Sequence, residues 1–416
     1  MAEPVGDGVR MGRSTMAVHA GSEPAALGRP ISGAIVQSTT FESDPLGTGE
    51  VLYSRYGNNP NHRRLEEKIA RLEGAEACLV AGSGMAAMGA ALLSCLDSGD
   101  HVVASTALYG GTKAFLDREL SRLGIQTTYV DLAAPDWAEA IRPSSRVILA
   151  ELPTNPLLRI TDPSPLVEVA HGCGATLVTD VTFASPINFR GLEHGVDLVV
   201  HSATKYLGGH SDVTAGAVCG SRDLVDRARE RARLFGTALD PHAAWLVERG
   251  IKTLALRMER HNANGVTVAA WLEQQPEVEH VHYPGLASHP DHQVASRLLD
   301  GFGGMLGLEL VGGAERTTEF VRALRICTVA PSLGGVETLV SEPRFTSHVK
   351  LSAEERAALG IRDGFIRFSL GIEDADDLIV DLREALDAAF GVSGQVRGSR
   401  EMGAVVGSTG KGEETG

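Results

Sequence analysis

Short apolar runs of strand length recur along the chain, separated by stretches patterned as helices. They read "ACLVA" (77–81), "DHVVAS" (100–105), "TTYVDL" (127–132), "RVILAE" (146–151), "TLVTD" (176–180), "DLVVHS" (197–202) and "AGAVCG" (215–220). This alternation predicts an α/β fold with a large, mostly parallel sheet covered by helices on both faces, and the apolar character of the runs predicts full burial. Leu65, Ile69 and Leu72 recur at helical spacing and Glu67 stands four residues before Arg71, so an amphipathic helix is expected over 62–73. At 374–390, "DADDLIVDLREALDAAF" opens with acidic residues that suit a helix N-terminus and carries Leu378, Leu382 and Leu386 in one stripe. Buried-type runs are sparser beyond Asn262–Gly265, where "GGMLGLELVG" (303–312) and "FIRFSLG" (365–371) stand out. The pattern thus divides into a large domain over 71–262 and a smaller C-terminal α/β domain over 263–390, with a break near Asn262–Gly265. The first dozen or so residues and the stretch 391–416 are Gly-rich and polar, and are expected to be disordered tails.

Composition narrows the possible partners. The 416 residues carry a formal charge of −15 and a pI near 5.4, which argues against nucleic acid or an anionic membrane as a ligand. Small molecules remain. No apolar run approaches the roughly 18–20 residues that span a bilayer, and no basic segment precedes an apolar one at the N-terminus, so a cytoplasmic protein is expected. Cys78, Cys95, Cys173, Cys219 and Cys327 are odd in number and scattered, and are expected to be reduced thiols with no metal site.

The candidate chemistry centres on "VHSATKYLGGHS" (200–211), where Lys205 follows an apolar strand and stands among small hydroxyl residues. At the carboxyl end of a strand in an open α/β sheet, a lysine points into the crevice where such folds bind ligands. There it can form a Schiff base. A pyridoxal phosphate cofactor would further require a carboxylate beside its ring nitrogen and an anion site for its phosphate. Asp180 ends the strand 25 positions before Lys205 and is the carboxylate candidate, although an aspartate there also caps turns and helices. The phosphate candidates are the hydroxyls Ser202 and Thr204 and the turn in "AGSGMAAMGA" (81–90), where glycines open a helix and leave backbone N–H groups for an anion. Such a turn is also a common strand-to-helix connection.

Eight blocks together carry a family resemblance: "YSRYGN" (53–58), "GSGMAA" (82–87), "LYGGT" (108–112), "ELPTNP" (151–156), "DVTFASP" (180–186), "HSATKYLGGHSD" (201–212), "APSLGGVETLV" (330–340) and "IRFSLGIED" (366–373). In this order the chain resembles the cystathionine γ-synthase and γ-lyase family of pyridoxal-phosphate transsulfuration enzymes over roughly residues 15–390. The resemblance implies the type I, aspartate-aminotransferase-like fold and a homotetramer built from dimers. Residues 1–70 would then form a tail and an arm that reaches the neighbouring subunit's site. It also implies that Lys205 carries the cofactor and moves protons, that Asp180 pairs with the ring nitrogen, and that Tyr109 stacks on the ring. Gly84, Met85, Ser202 and Thr204 would hold the phosphate, with Tyr53 and Arg55 entering from the neighbour. Asn155 would touch the cofactor and substrate, while Arg367, helped by Ser332, would grip the carboxylate of a small amino-acid substrate. Outside this context Tyr53 and Arg55 read as an ordinary loop pair, and Arg367 as an exposed strand residue.

The implied reaction removes a group from Cγ of an amino acid. Addition of a thiol then gives γ-synthase activity, making cystathionine from an activated homoserine and cysteine, whereas release and hydrolysis give γ-lyase activity. Pro331 stands where many bacterial synthases and cystathionine γ-lyases carry glutamate and methionine γ-lyases an apolar residue, and "APSLGGVETLV" as a whole most resembles the plant-type γ-synthases. Gly110-Gly111, without a nearby cysteine, speaks against methionine degradation. Val181 replaces the asparagine usual after the aspartate, which removes possible hydrogen bonds near Asp180. These departures also allow a lyase acting on an unusual halogenated or unsaturated γ-substituted amino acid. An inactive scaffold is the remaining alternative.

Overall fold

The computed structural model describes residues 11–22, 26–346, 349 and 352–391; the expected tail segments 1–10 and 392–416 lie outside them. Seven strands build the larger sheet: β1 (Ala77–Ala81), β2 (His101–Ser105), β3 (Gln126–Val130), β4 (Ser145–Glu151), β5 (Thr176–Asp180), β6 (Leu198–His201) and β7 (Gly216–Gly220). Their order is β1-β7-β6-β5-β4-β2-β3. Only β7 runs antiparallel to its neighbours, β1 and β6, so the sheet is mostly parallel as expected. Alternation along each strand sends side chains to two cores: Val147 and Leu149 pack with Met88 and Leu92, whereas Ile148 and Ala150 pack with Leu65 and Ile69. Each fully buried aliphatic side chain contributes about 1.5–3 kcal/mol. The burial expectation fails at one strand. Gln126–Val130 is half-exposed because β3 lies at the sheet edge, bonded only to β2, and its threonines and glutamine suit that position.

The helix expected at 62–73 spans Pro60–Glu73, starting earlier because the Asn59 side chain accepts from Asn61 N and Pro60 occupies the first turn. A second sheet, ordered β10-β11-β12-β9-β8, comprises β8 (Val278–His282), β9 (Met305–Leu310), β10 (Thr328–Val329), β11 (Leu339–Ser341) and β12 (Phe365–Ser369). Leu378, Leu382 and Leu386 of the helix Ala375–Phe390 share a core with Leu308 and Ile366. A continuous helix, Leu254–Leu272, runs through the stretch Asn262–Gly265 where a break is expected. The polar and glycine residues there serve contacts instead. Asn264 Nδ2 donates to Gly371 O and Glu373 O, and a Cβ at Gly265 would fall 2.3 Å from Gly303 O. Among the described residues no helix is long and apolar enough to cross a membrane.

Candidate active site

Parallel β4, β5 and β6 end side by side and bring Glu151, Asp180 and the Ser202–Lys205 turn to one edge of the sheet. The backbone N–H of Thr182 donates to Asp180 Oδ1 at 2.9 Å, and its hydroxyl accepts from Ser202 N at 2.8 Å, so one threonine ties two candidate segments together. Val181 is fully buried in the core. The hydrogen bonds to Asp180 come from Thr182, so the expected loss at Val181 does not leave this carboxylate without donors. Burial nevertheless pushes Asp180 above the usual carboxylate range. A protonated ring nitrogen would supply the missing positive partner.

The glycine turn meets the lysine turn directly. A Cβ at Gly84 would lie 2.7 Å from Ser202 Cβ, which restricts the position to glycine. Ser83 caps the helix Gly84–Cys95 by accepting from Ala86 N at 3.1 Å, while the first-turn amides of Gly84 and Met85 have no acceptor within the helix. Ser202 faces the cavity beside them. The Thr204 hydroxyl is already engaged, donating to Ala215 O and accepting from Ala215 N.

Lys205 Nζ donates to Ser332 Oγ at 2.8 Å. Burial, with the Arg367 charge nearby, lowers its pKa to about 8. Ser332 has φ of +97°, a conformation costly for a non-glycine residue and one that marks functional sites. Its carbonyl accepts from Arg367 Nη2 at 3.0 Å, and Arg367 Nη1 donates to Asn155 Oδ1 at 3.2 Å. Arg367 is 6% exposed, so the reading of an exposed strand residue does not hold; burial lowers its pKa to about 10. Every proposed site residue except Tyr53 and Arg55 lines one cavity of about 600 Å³. An adjoining cavity of about 850 Å³ shares Tyr109 and Asn155 with it but lacks Lys205, Asp180 and Arg367, so we place the chemistry in the smaller space. Tyr53 and Arg55 lie elsewhere in the chain: the Arg55 guanidinium sits 5.6 Å from the Tyr53 ring and 5.0 Å from that of Tyr56, and donates to Arg233 O.

One residue escaped the sequence reading. Glu151 is buried in the cavity wall, where Oε2 accepts from Tyr109 N at 2.7 Å and Oε1 from Asn155 N at 2.9 Å. Burial first, and the Asp180 charge second, hold its carboxyl well above the usual range. The only sequence signal was a carboxylate ending a strand next to the strand of Asp180.

A half-buried amine, a carboxylate lining the same cavity, a glycine-lined helix start and a planar cation fit pyridoxal phosphate, and the architecture is that of a type I pyridoxal-phosphate enzyme. Residues 14–387 match the family described as "Cys/Met metabolism PLP-dependent enzyme", and the chain belongs to it. Cystathionine gamma-synthase 1 of Arabidopsis thaliana is 45% identical over 81% of this chain and 60% of its own length. The L-methionine gamma-lyase of Porphyromonas gingivalis is 40% identical over 92% of this chain and 98% of its own. Cystathionine gamma-lyase of Bacillus subtilis is 42% identical over 91% and 100%, respectively. The crystal structure of cystathionine gamma synthase from Xanthomonas oryzae pv. oryzae in complex with aminoacrylate and cysteine superposes with a TM-score of 0.89, at 38% identity, covering 92% of this chain and 100% of that one. Identity therefore does not separate synthases from lyases, methionine γ-lyases included.

The lowered lysine pKa sets an expected pH dependence. Covalent attachment needs the neutral amine, which for Lys205 predominates above about 8 rather than above the ordinary value of 10.5. The rate at which cofactor-free protein develops the visible lysine-bound band should rise with pH through a midpoint near 8 and level off about one to two units higher. Stopped-flow absorbance measures it, and an inflection at the ordinary lysine value would contradict the burial argument.

Proposed function

We propose that the protein catalyses γ-replacement on an activated homoserine with cysteine, forming cystathionine. The convergence of Lys205, Asp180, Tyr109 and Arg367 on one cavity, in a chain of this family, supports the γ-chemistry, and the plant-type form of "APSLGGVETLV" (330–340) favours replacement. Pyridoxal phosphate, when bound, supplies the electron sink that stabilises negative charge at Cα. Lys205 would hold the cofactor, and Asp180 would keep its ring nitrogen protonated. Gly84, Met85 and Ser202 would receive its phosphate, and Thr204 would join them by turning its hydroxyl proton away from Ala215 O. The guanidinium of Arg367 would bind the substrate α-carboxylate as a fork, with Asn155 and Ser332 fixing its plane. The Lys205 amine, freed on substrate binding, would take the Cα proton and return protons along the substrate. Tyr109 would stack on the ring and pass a proton to the leaving group.

A second reading is favoured by the cavity wall. Among the described residues, the side chains lining this cavity other than Glu151, Asp180, Lys205 and Arg367 are uncharged, and its exposed rim carries Pro331 and Phe345. Such a wall suits a small neutral γ-substituent, halogenated or unsaturated, removed by a lyase. Mass spectrometry of products decides between them, using a panel of O-activated homoserines with and without L-cysteine, and cystathionine alone. Cystathionine from an activated homoserine and cysteine supports the synthase. An oxo acid from cystathionine alone identifies a lyase, and silence across the panel sinks both conventional activities in favour of the neutral substrate.

The assembly belongs to the same proposal: a cytoplasmic homotetramer in which Tyr53 and Arg55 complete a neighbour's phosphate site. Arg55→Ala should then weaken cofactor retention by about 10- to 100-fold, the range expected for one hydrogen bond to a charged group. Equilibrium dialysis checks the retention, and sedimentation the assembly. A fully active monomer would sink the claim.

A further inference from the structure

We infer that Glu151 is a positioning residue that sets Tyr109 and, through Asn155, Arg367 from one buried carboxylate. The inference rests on the roles proposed above for those residues. Glu151 and Asp180 are register partners on adjacent parallel strands, so the fold places two carboxylates, one buried and one half-buried, side by side at the strand ends. Like charges so placed are costly, and replacement by apolar residues is often the more stable choice. The arrangement of acceptors gives a reason for keeping the second one. Each Glu151 oxygen takes a backbone N–H from a different wall of the cavity: Tyr109 on one side and Asn155 on the other.

The turn carrying Asn155 is closed at Thr154, whose N–H donates to Arg159 O and whose carbonyl accepts from Leu158 N, so Glu151 fixes the Asn155 amide rather than the whole turn. Tyr109 is the N-cap of the helix Gly110–Ala114 and makes no side-chain cap bond. Asn155 in turn accepts from Arg367 Nη1, so the bond to its backbone fixes the side chain that aligns the guanidinium. A carboxylate suits this task because it accepts at both oxygens. Glutamine, of the same shape, keeps one acceptor and turns an N–H₂ toward a backbone N–H, so one wall must let go.

The test uses the holoenzyme and binding of glycine, which has the α-amino and α-carboxyl groups but no γ-substituent to lose. Its dissociation constant is read from the change in the visible cofactor band, with cofactor retention measured in parallel. Glu151→Gln should raise that constant about 10- to 100-fold while the cofactor is retained. Asn155→Ala should raise the constant as well, and the double variant should bind glycine no more weakly than the poorer single variant, because both act on Arg367. Glu151→Asp, which keeps both acceptors on a shorter arm, should fall between wild type and Glu151→Gln, and it carries the test if the glutamine variant does not fold. Independent, multiplying losses, unchanged glycine affinity, or a loss that only follows cofactor release would overturn the inference. Failure of the γ-chemistry on the substrate panel would sink the proposed reaction alone, since glycine binding needs no turnover.

Discussion

Lys205→Ala should abolish the lysine-linked visible band and lower turnover by at least about 10³-fold, within the range for losing a positioned general base. The loss should fall on kcat. Removing the amine also removes a positive charge near Arg367, and the Ser332 hydroxyl loses only one donor, so the carboxylate grip should survive. Cofactor should still bind noncovalently through Asp180, the Gly84 turn and Ser202. Absorbance spectra and steady-state kinetics on a turned-over substrate check both halves. An unchanged lysine-linked band in this variant would refute the assignment of Lys205, and an intact kcat would refute its role as proton carrier.

Much of this site is legible in the sequence because covalent and electrostatic demands act through residue type and order. A lysine after a buried strand, an aspartate ending the preceding one and a glycine turn opening a helix each had an ordinary alternative; together they converge on one cavity. Strand positions were legible for a related reason. Strands buried on two faces must be continuously apolar, and the exception, β3, betrays its edge position by its polar residues. Glu151 was illegible because its partners are backbone amides, which leave no mark on the sequence. The stretch Asn262–Gly265 misled for the opposite reason: asparagine and glycine suggest a break, whereas here they permit close contacts from inside a helix. At Val181 side-chain chemistry suggested a gap near Asp180, but the neighbouring Thr182 supplies the donors.

Arg367→Lys should leave the cofactor band intact and raise KM for the amino-acid substrate by about 10²-fold, with Arg367→Ala near 10³-fold, the scale of losing one or two charge-assisted hydrogen bonds. Lysine keeps a positive charge but not the planar fork, and it cannot meet Asn155 Oδ1, Ser332 O and a carboxylate together. The distinction between the variants separates charge from geometry. If attraction alone held the substrate, Arg367→Lys would resemble wild type, because the buried site remains cationic. If alignment matters, the lysine variant should also lose kcat, since a carboxylate held at one point leaves Cα free to swing away from Lys205. Full kinetic profiles for both variants at a pH between 7 and 8 decide it. Wild-type KM in Arg367→Ala would remove Arg367 from the substrate site altogether and, with it, the path by which Glu151 acts.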